Sequence, residues 1–217
     1  MILPEYEAKK LLMEASAPVV EAIAVETLET AKAEAARIGG PVALKFSSAR
    51  HAHKTEVGGV FLNLKDDCGL EEAFRKVEEL RGRLDPDGKI ILEAMAPRGT
   101  EFFIGFQRHP QFGPVLSFGM GGVWLELFHV VAFRLLPARG VDFLEMASEL
   151  KGWDKLRAGF RNFPPVDENQ VVDLLGRISA LVLARPDIME MDLNPVIAAA
   201  SGMVVLDARI VMDGSNH

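Results

Sequence analysis

Residues 188–195, Ile-Met-Glu-Met-Asp-Leu-Asn-Pro, alternate polar and apolar side chains with a period of two. Successive side chains of an extended strand point to opposite faces, so Glu190, Asp192 and Asn194 share one face and Met189, Met191 and Leu193 the other. Ser201-Gly202 can turn the chain back into Val204-Val-Leu-Asp-Ala-Arg209 as a hairpin. To within a residue or so of register, that return strand brings Asp207 beside Asn194. The pattern therefore predicts antiparallel sheet with one apolar face to bury and one acidic face left over.

The acidic face supports two readings. Oxygen ligands on adjacent strands, next to further carboxylates, suit a hard cation such as Mg²⁺, which takes one or two protein ligands and completes its shell with phosphate oxygens and water. In that reading the hairpin outlines a nucleoside triphosphate site. The plainer reading is a solvated edge hairpin, because any half-exposed sheet alternates in this way. An ordinary surface strand would mix Lys, Thr and Ser with its acids, whereas this one offers three acceptors and no cation.

With 217 residues, 49% hydrophobic and 25% charged, the sequence reads as one large domain or two small ones with a sizeable core. A formal charge of −7 argues against nucleic acid as a partner, and the Lys and Arg residues form no single basic run. The one cysteine, Cys68, excludes an intrachain disulfide and a Cys-based zinc cluster. The first ten residues lack the order of a signal peptide and no apolar run approaches a membrane span, so no membrane is expected and the expected compartment is the cytoplasm.

Apolar spacing at Ala8, Leu11, Leu12 and Ala15 predicts a first helix, and Thr27 can cap a second that Gly39-Gly40 stops. Strands are expected at 41–46, 60–64 and 89–93, with a helix from Asp66 or Asp67 between the last two. Residues 94–100 read as a connector between two lobes. Three strands at about 101–107, 113–118 and 123–128, helices at about 141–150 and 167–183, and the acidic hairpin complete an α/β or α+β pattern.

Several residues could carry chemistry. Lys45 ends the apolar run Pro-Val-Ala-Leu, where an ammonium needs a partner such as phosphate or must snorkel to the surface. The segment His51-Ala-His-Lys-Thr-Glu-Val-Gly-Gly59 can fold over phosphates through glycine N–H groups and Lys54, and a histidine there can accept a phosphoryl group. By composition alone it is equally an exposed polar tip. It lacks the glycine spacing of the Gly-Lys-Ser/Thr nucleotide loop. Residues 112–122 are glycine-rich but lack a dinucleotide fingerprint. Glu126 is a solvent-facing charge or a further acid of the metal site. The histidines are too scattered for a transition-metal site, so oxygen-ligand chemistry is preferred.

The segments Leu3–Leu12, Pro41–Lys45, His53–Val60, Phe112-Gly-Pro114, Gly121-Gly122 with Glu126, Glu190–Pro195 and Leu206–Arg209 stand in one order along the chain. In that order they resemble the β subunit of ADP-forming acetyl-CoA synthetases, an ATP-grasp module related to succinyl-CoA synthetase β. The resemblance spans essentially the whole chain. It implies an α+β ATP-grasp fold, two α+β lobes with the nucleotide between them: a small lobe at 18–92, and a large lobe at 1–17 plus 93–217. Carried over, Lys45 resembles the phosphate-binding lysine, and 53–59, with His53, Lys54, Gly58 and Gly59, the mobile phosphate loop. Glu93, Ala94 and Met95 resemble the adenine hinge and Glu101 the ribose-binding acid. Asn194 and Asp207 resemble Mg²⁺ ligands, and Asp192 the acid that faces an incoming phosphohistidine.

The resemblance implies an enzyme that interconverts acyl-CoA, ADP and phosphate with acid, ATP and CoA. It further implies ATP/ADP and Mg²⁺ as cofactors and, as partner in a hetero-oligomer, a CoA-binding α subunit carrying the principal phosphohistidine. His53 matches a loop histidine that relays the phosphoryl group. Succinyl-CoA synthetase β has a further C-terminal domain without counterpart here, so CoA binding is expected on another chain. Two positions depart from the family: Val130 stands where an acid is usual, and Asn162 follows Arg161 where glycine is usual. A catalytically reduced nucleotide-binding module and an ATP-grasp carboxylate ligase are the competing readings.

Overall fold

A computed structural model of the chain describes residues 1–50, 57–122 and 130–214. The expected phosphate-loop residues His53 and Lys54, the expected strand at 123–128 with Glu126, and His129 lie outside the described residues. The chain divides into two compact units, one of Ile2–Lys9 and Val20–Ala96 and one of Met1, Lys10–Val19 and Pro97–His217. The sequence-based boundaries differ mainly at two places: Ile2–Lys9, with the start of the first helix α1 (Glu5–Glu14), and residues 93–96 fall in the smaller unit, where Glu5 and Lys9 pair with Lys45 and Glu93.

The smaller unit also holds β1 (Ile2–Leu3), β2 (Ile23–Ala24), α2 (Leu28–Ile38), β3 (Val42–Ser47), β4 (Val60–Leu64), α3 (Asp67–Leu84) and β5 (Lys89–Ala94). Its four-stranded antiparallel sheet runs β2-β5-β3-β4. Thr27 and Thr30 cap the start of α2 reciprocally, and Gly39 ends it at φ +71°, a left-handed conformation that favours glycine. Asp66 caps α3 by accepting from the Gly69 N–H at 2.8 Å. Val42, Leu44 and Phe46 of β3 pack with Leu70, Phe74 and Val77 of α3 into one core. Ala43, Lys45 and Ser47 therefore face the other side of the sheet.

The larger unit contains β6 (Gly99–His109), β7 (Gly113–Met120), β8 (Val131–Leu135), α4 (Gly140–Ser148), α5 (Trp153–Ala158), α6 (Glu168–Ala184), β9 (Ile188–Ala199), β10 (Gly202–Val205) and β11 (Ala208–Met212). Its antiparallel sheet includes the path β11-β9-β6-β7-β8, with β10 also on β9. Phe102 and Phe118 stack at 5.0 Å with Trp153 edge-on, and Met146, Leu175, Ile178, Met191 and Leu193 are buried with them. Burying this face leaves Glu101, Gly105, Asp192 and Arg209 on the opposite one.

Strand β8 and helix α5 have no counterpart in the sequence reading. Helix α5 spans six residues after a glycine cap at Gly152, too short for a periodicity to register. Among the described residues no helix is long and apolar enough to cross a membrane.

Candidate functional site

In the smaller unit, Lys45 is 8% exposed and its ammonium lies 3.0 Å from Glu5 Oε1 and 2.7 Å from Glu93 Oε2. Lys9, 1% exposed, donates to Glu93 Oε1 and stands 3.2 Å from Glu5 Oε1. Two ammonium groups and two carboxylates thus alternate in a charge-balanced buried network, the arrangement that offsets desolvation. Lys45 is drawn inward and does not snorkel. Glu5 and Lys9 escaped the sequence reading. Their four-residue spacing on α1 is a visible signal, but nothing in the sequence ties them to a lysine so far along the chain, forty positions beyond Glu5.

The Glu93 carboxylate is engaged in this network, and the Met95 N–H donates to Pro41 O at 3.0 Å while Met95 Sδ accepts from the Asn63 N–H at 3.3 Å. Ala94 pairs with Val42 at the end of β5. Gly59 O accepts from the Phe46 N–H at 2.8 Å, which fixes the C-terminal end of the 53–59 segment beside Lys45. Gly58 has φ +70° and open space where a side chain would start, so its requirement is conformational.

In the larger unit, β11 pairs with β9 so that Ala208 faces Leu193 and Arg209 faces Asp192. The Leu206 N–H donates to Pro195 O at 3.0 Å, which continues the register and sets Asp207 across from Asn194. Gly105 of β6 flanks Asp192 on its other side, and a Cβ there would come 2.4 Å from Ser117 Oγ. The Asp192 carboxyl is raised above its ordinary range, first by surrounding protein and then by the charge of Asp207, while Arg209 opposes the shift. Arg209 Nε is buried with no hydrogen-bond partner among the described residues.

Glu101 lies on β6 opposite Ile197, and its carbonyl accepts from the Gly121 N–H at 2.8 Å. Gly122, at φ +59°, brings the backbone so close that a Cβ would sit 2.3 Å from Glu101 Oε2. The Gly121-Gly122 pair is thus a close backbone approach over an acidic side chain. At the departures, Val130 contributes its carbonyl to the Met120 N–H, and Asn162 has no positive φ that would demand glycine.

Among the described residues no group of three or more His, Cys, Asp or Glu side chains could hold a metal by itself. An amide oxygen and a carboxylate set across from each other suit a cation that draws its remaining ligands from phosphate and water, so the donor set fits Mg²⁺ bound with nucleotide.

The ATP-grasp domain family matches residues 1–212. The β subunit of acetate–CoA ligase (ADP-forming) I from Pyrococcus furiosus is 36% identical over 213 residues, 97% of this chain and 91% of that protein. The chain belongs to the ATP-grasp family, among the β subunits of ADP-forming acetate–CoA ligases. This ATP-grasp chain is also 40% identical over 207 residues to acetate–CoA ligase (ADP-forming) I of Archaeoglobus fulgidus, covering 90% of itself but 30% of that protein. A solved structure of acetyl-coenzyme A synthetase 1 from Ca. Korarchaeum cryptofilum, with coenzyme A and Mg-AMPPCP and its phosphohistidine segment pointing towards the nucleotide site, superposes with a TM-score of 0.82. It is 40% identical to the ATP-grasp chain, with 96% of this chain and 92% of that chain covered.

Proposed function

We propose that this chain is the ATP-binding β subunit of an ADP-forming acyl-CoA synthetase. It interconverts acyl-CoA, ADP and phosphate with acid, ATP and CoA, together with a CoA-binding α subunit that carries the principal phosphohistidine. The observation that carries this reading is the hairpin register, which sets Asp207 across from Asn194 with Asp192 on the same face, in a chain 36% identical to a relative named as a β subunit. The name β subunit, and the longer Archaeoglobus protein of which this chain matches 30%, support the need for a partner.

Asn194 and Asp207 hold Mg²⁺, which when bound neutralises charge on the phosphate oxygens. Phosphoryl transfer spreads negative charge over equatorial oxygens, so the protein's task is to align donor and acceptor and to supply cations. Lys45 supplies one, being the less buried of the two ammonium groups in its network at 8% against 1% for Lys9. Lys54 and the N–H groups of Gly58 and Gly59 supply further donors to the phosphates. Glu93 to Met95 border the adenine, and Glu101 accepts from ribose hydroxyls. Asp192 faces the imidazole that receives or delivers the phosphoryl group, and His53 relays that group between the partner's histidine and the nucleotide.

The test is incubation with γ-labelled ATP, with and without a CoA-binding α subunit. Label on His53 only when the partner is present supports the relay. Tight nucleotide binding without transfer points to a catalytically reduced module instead, and label passing to a carboxylate substrate with no phosphohistidine points to a carboxylate ligase. His53→Ala abolishes transfer and leaves ATP affinity within about threefold; a large loss of affinity contradicts the relay role.

A further inference from the structure

Arg209 lies on the acidic face and still lacks a task. It stands directly opposite Asp192 across the β9/β11 ladder and two positions after Asp207. Directly opposed residues of an antiparallel pair project from the same face, so the guanidinium shares the face of Asp192. Two other part-buried arginines of this unit spend their donors. Arg108 donates to the carbonyls of Val182, Arg185 and Ile188, and Arg185 grips Asp187 through two nitrogens. Arg209 Nε is instead buried and without a hydrogen-bond partner among the described residues. A buried donor left unmet within the chain draws its partner from outside it, from water or from a ligand.

We infer that Arg209 is a further phosphate-binding residue, donating to the terminal phosphoryl group on the side away from the metal ligands. The inference rests on the nucleotide reading above. A phosphoryl dianion brought beside Asp192, Asp207 and Glu190 meets like charge, and a cation at the Asn194–Asp207 end covers only part of it. A second cation beyond Asp192 balances the other end. An arginine suits that task better than a lysine, because its planar fork can donate twice to one phosphate and its charge is permanent. Gly105, flanking Asp192 from the other neighbouring strand, carries no side chain of its own, and the Ser117 hydroxyl and the Phe103 ring close in over its backbone.

The test is calorimetric titration of the intact protein and of Arg209→Gln and Arg209→Lys with Mg·ADP and with Mg·AMPPCP, a non-hydrolysable ATP analogue. Arg209→Gln is expected to weaken the analogue by about tenfold or more while Mg·ADP stays within about threefold, with Arg209→Lys recovering part of the difference. A purely structural arginine would lower both affinities together or neither, and either result overturns the inference. Wild-type protein that binds neither nucleotide refutes the nucleotide reading itself, an outcome read without any Arg209 variant.

Discussion

Lys45 and Glu93 meet between adjacent strands β3 and β5, Nζ to Oε2 at 2.7 Å, with 8% and 3% of their surfaces exposed. Removing Glu93 leaves two buried ammonium groups to share the single carboxylate of Glu5. Glu93→Gln is expected to lower unfolding free energy by about 3–5 kcal/mol in urea titrations. Because Lys9 depends on the same carboxylate, a Lys9→Met/Glu93→Leu double variant should cost less than the sum of its singles. A Glu93→Gln cost below about 1 kcal/mol would show that the four charges do not act as one network.

Asp192 carries a pH signature. Its carboxyl titrates above the ordinary range because surrounding protein and Asp207 disfavour the charged form. The folded state therefore holds this proton more tightly than the unfolded state. The penalty is absent below the ordinary aspartate range, grows as pH rises towards the elevated folded value, and is complete above it. Without nucleotide, Asp192→Asn should be more stable than wild type at pH 8, with the advantage shrinking as pH falls towards 4. An advantage independent of pH would contradict the crowding of this carboxylate.

Arg161 stores backbone strain at φ +55° in the tight turn closed by mutual bonds between Phe160 and Phe163 at 3.2 and 3.0 Å. A left-handed non-glycine residue costs about 1–2 kcal/mol, partly offset here by the guanidinium lying 5.3 Å from the Phe160 ring centre. Arg161→Gly is expected to gain about 0.5–1 kcal/mol, a rise of roughly 1–4 °C in thermal midpoint for a chain of this size. A fall in midpoint would mean that the cation–ring contact outweighs the strain.

Gly122→Ala tests the link between the glycine pair and Glu101. The added Cβ would lie 2.3 Å from Glu101 Oε2, the far end of a flexible side chain, so the carboxylate moves while the fold survives. The expected result is a stability loss of about 1–2 kcal/mol from the left-handed backbone, with nucleotide affinity reduced several-fold. Unchanged affinity would remove Glu101 from the ribose role.

Local pattern carried much of the fold into view. The cap at Thr27, the stop at Gly39 and the strand Val60–Leu64 follow from propensity and capping chemistry within a few residues of each position. The hairpin register was legible because Glu190, Asp192 and Asn194 alternate with buried partners and a turn follows. What stayed hidden depends on distance along the chain. The carboxylates that take up Lys45 come from Glu5 and Glu93, forty and forty-eight positions away, and no periodicity encodes that meeting. The orphaned Nε of Arg209 is a property of packing, since the motif Asp-Ala-Arg states the residue but not whether its donors are met.

On the proposed function, the C-terminal hairpin holds Mg²⁺ against a bound nucleotide through Asn194 and Asp207. Calorimetric titration of ADP with and without Mg²⁺, into wild type and Asp207→Asn, tests it most directly. Mg²⁺ is expected to tighten ADP binding to the wild type by about tenfold or more, and Asp207→Asn to lose most of this gain while its Mg²⁺-free affinity is kept. An equal Mg²⁺ effect in both proteins would contradict it.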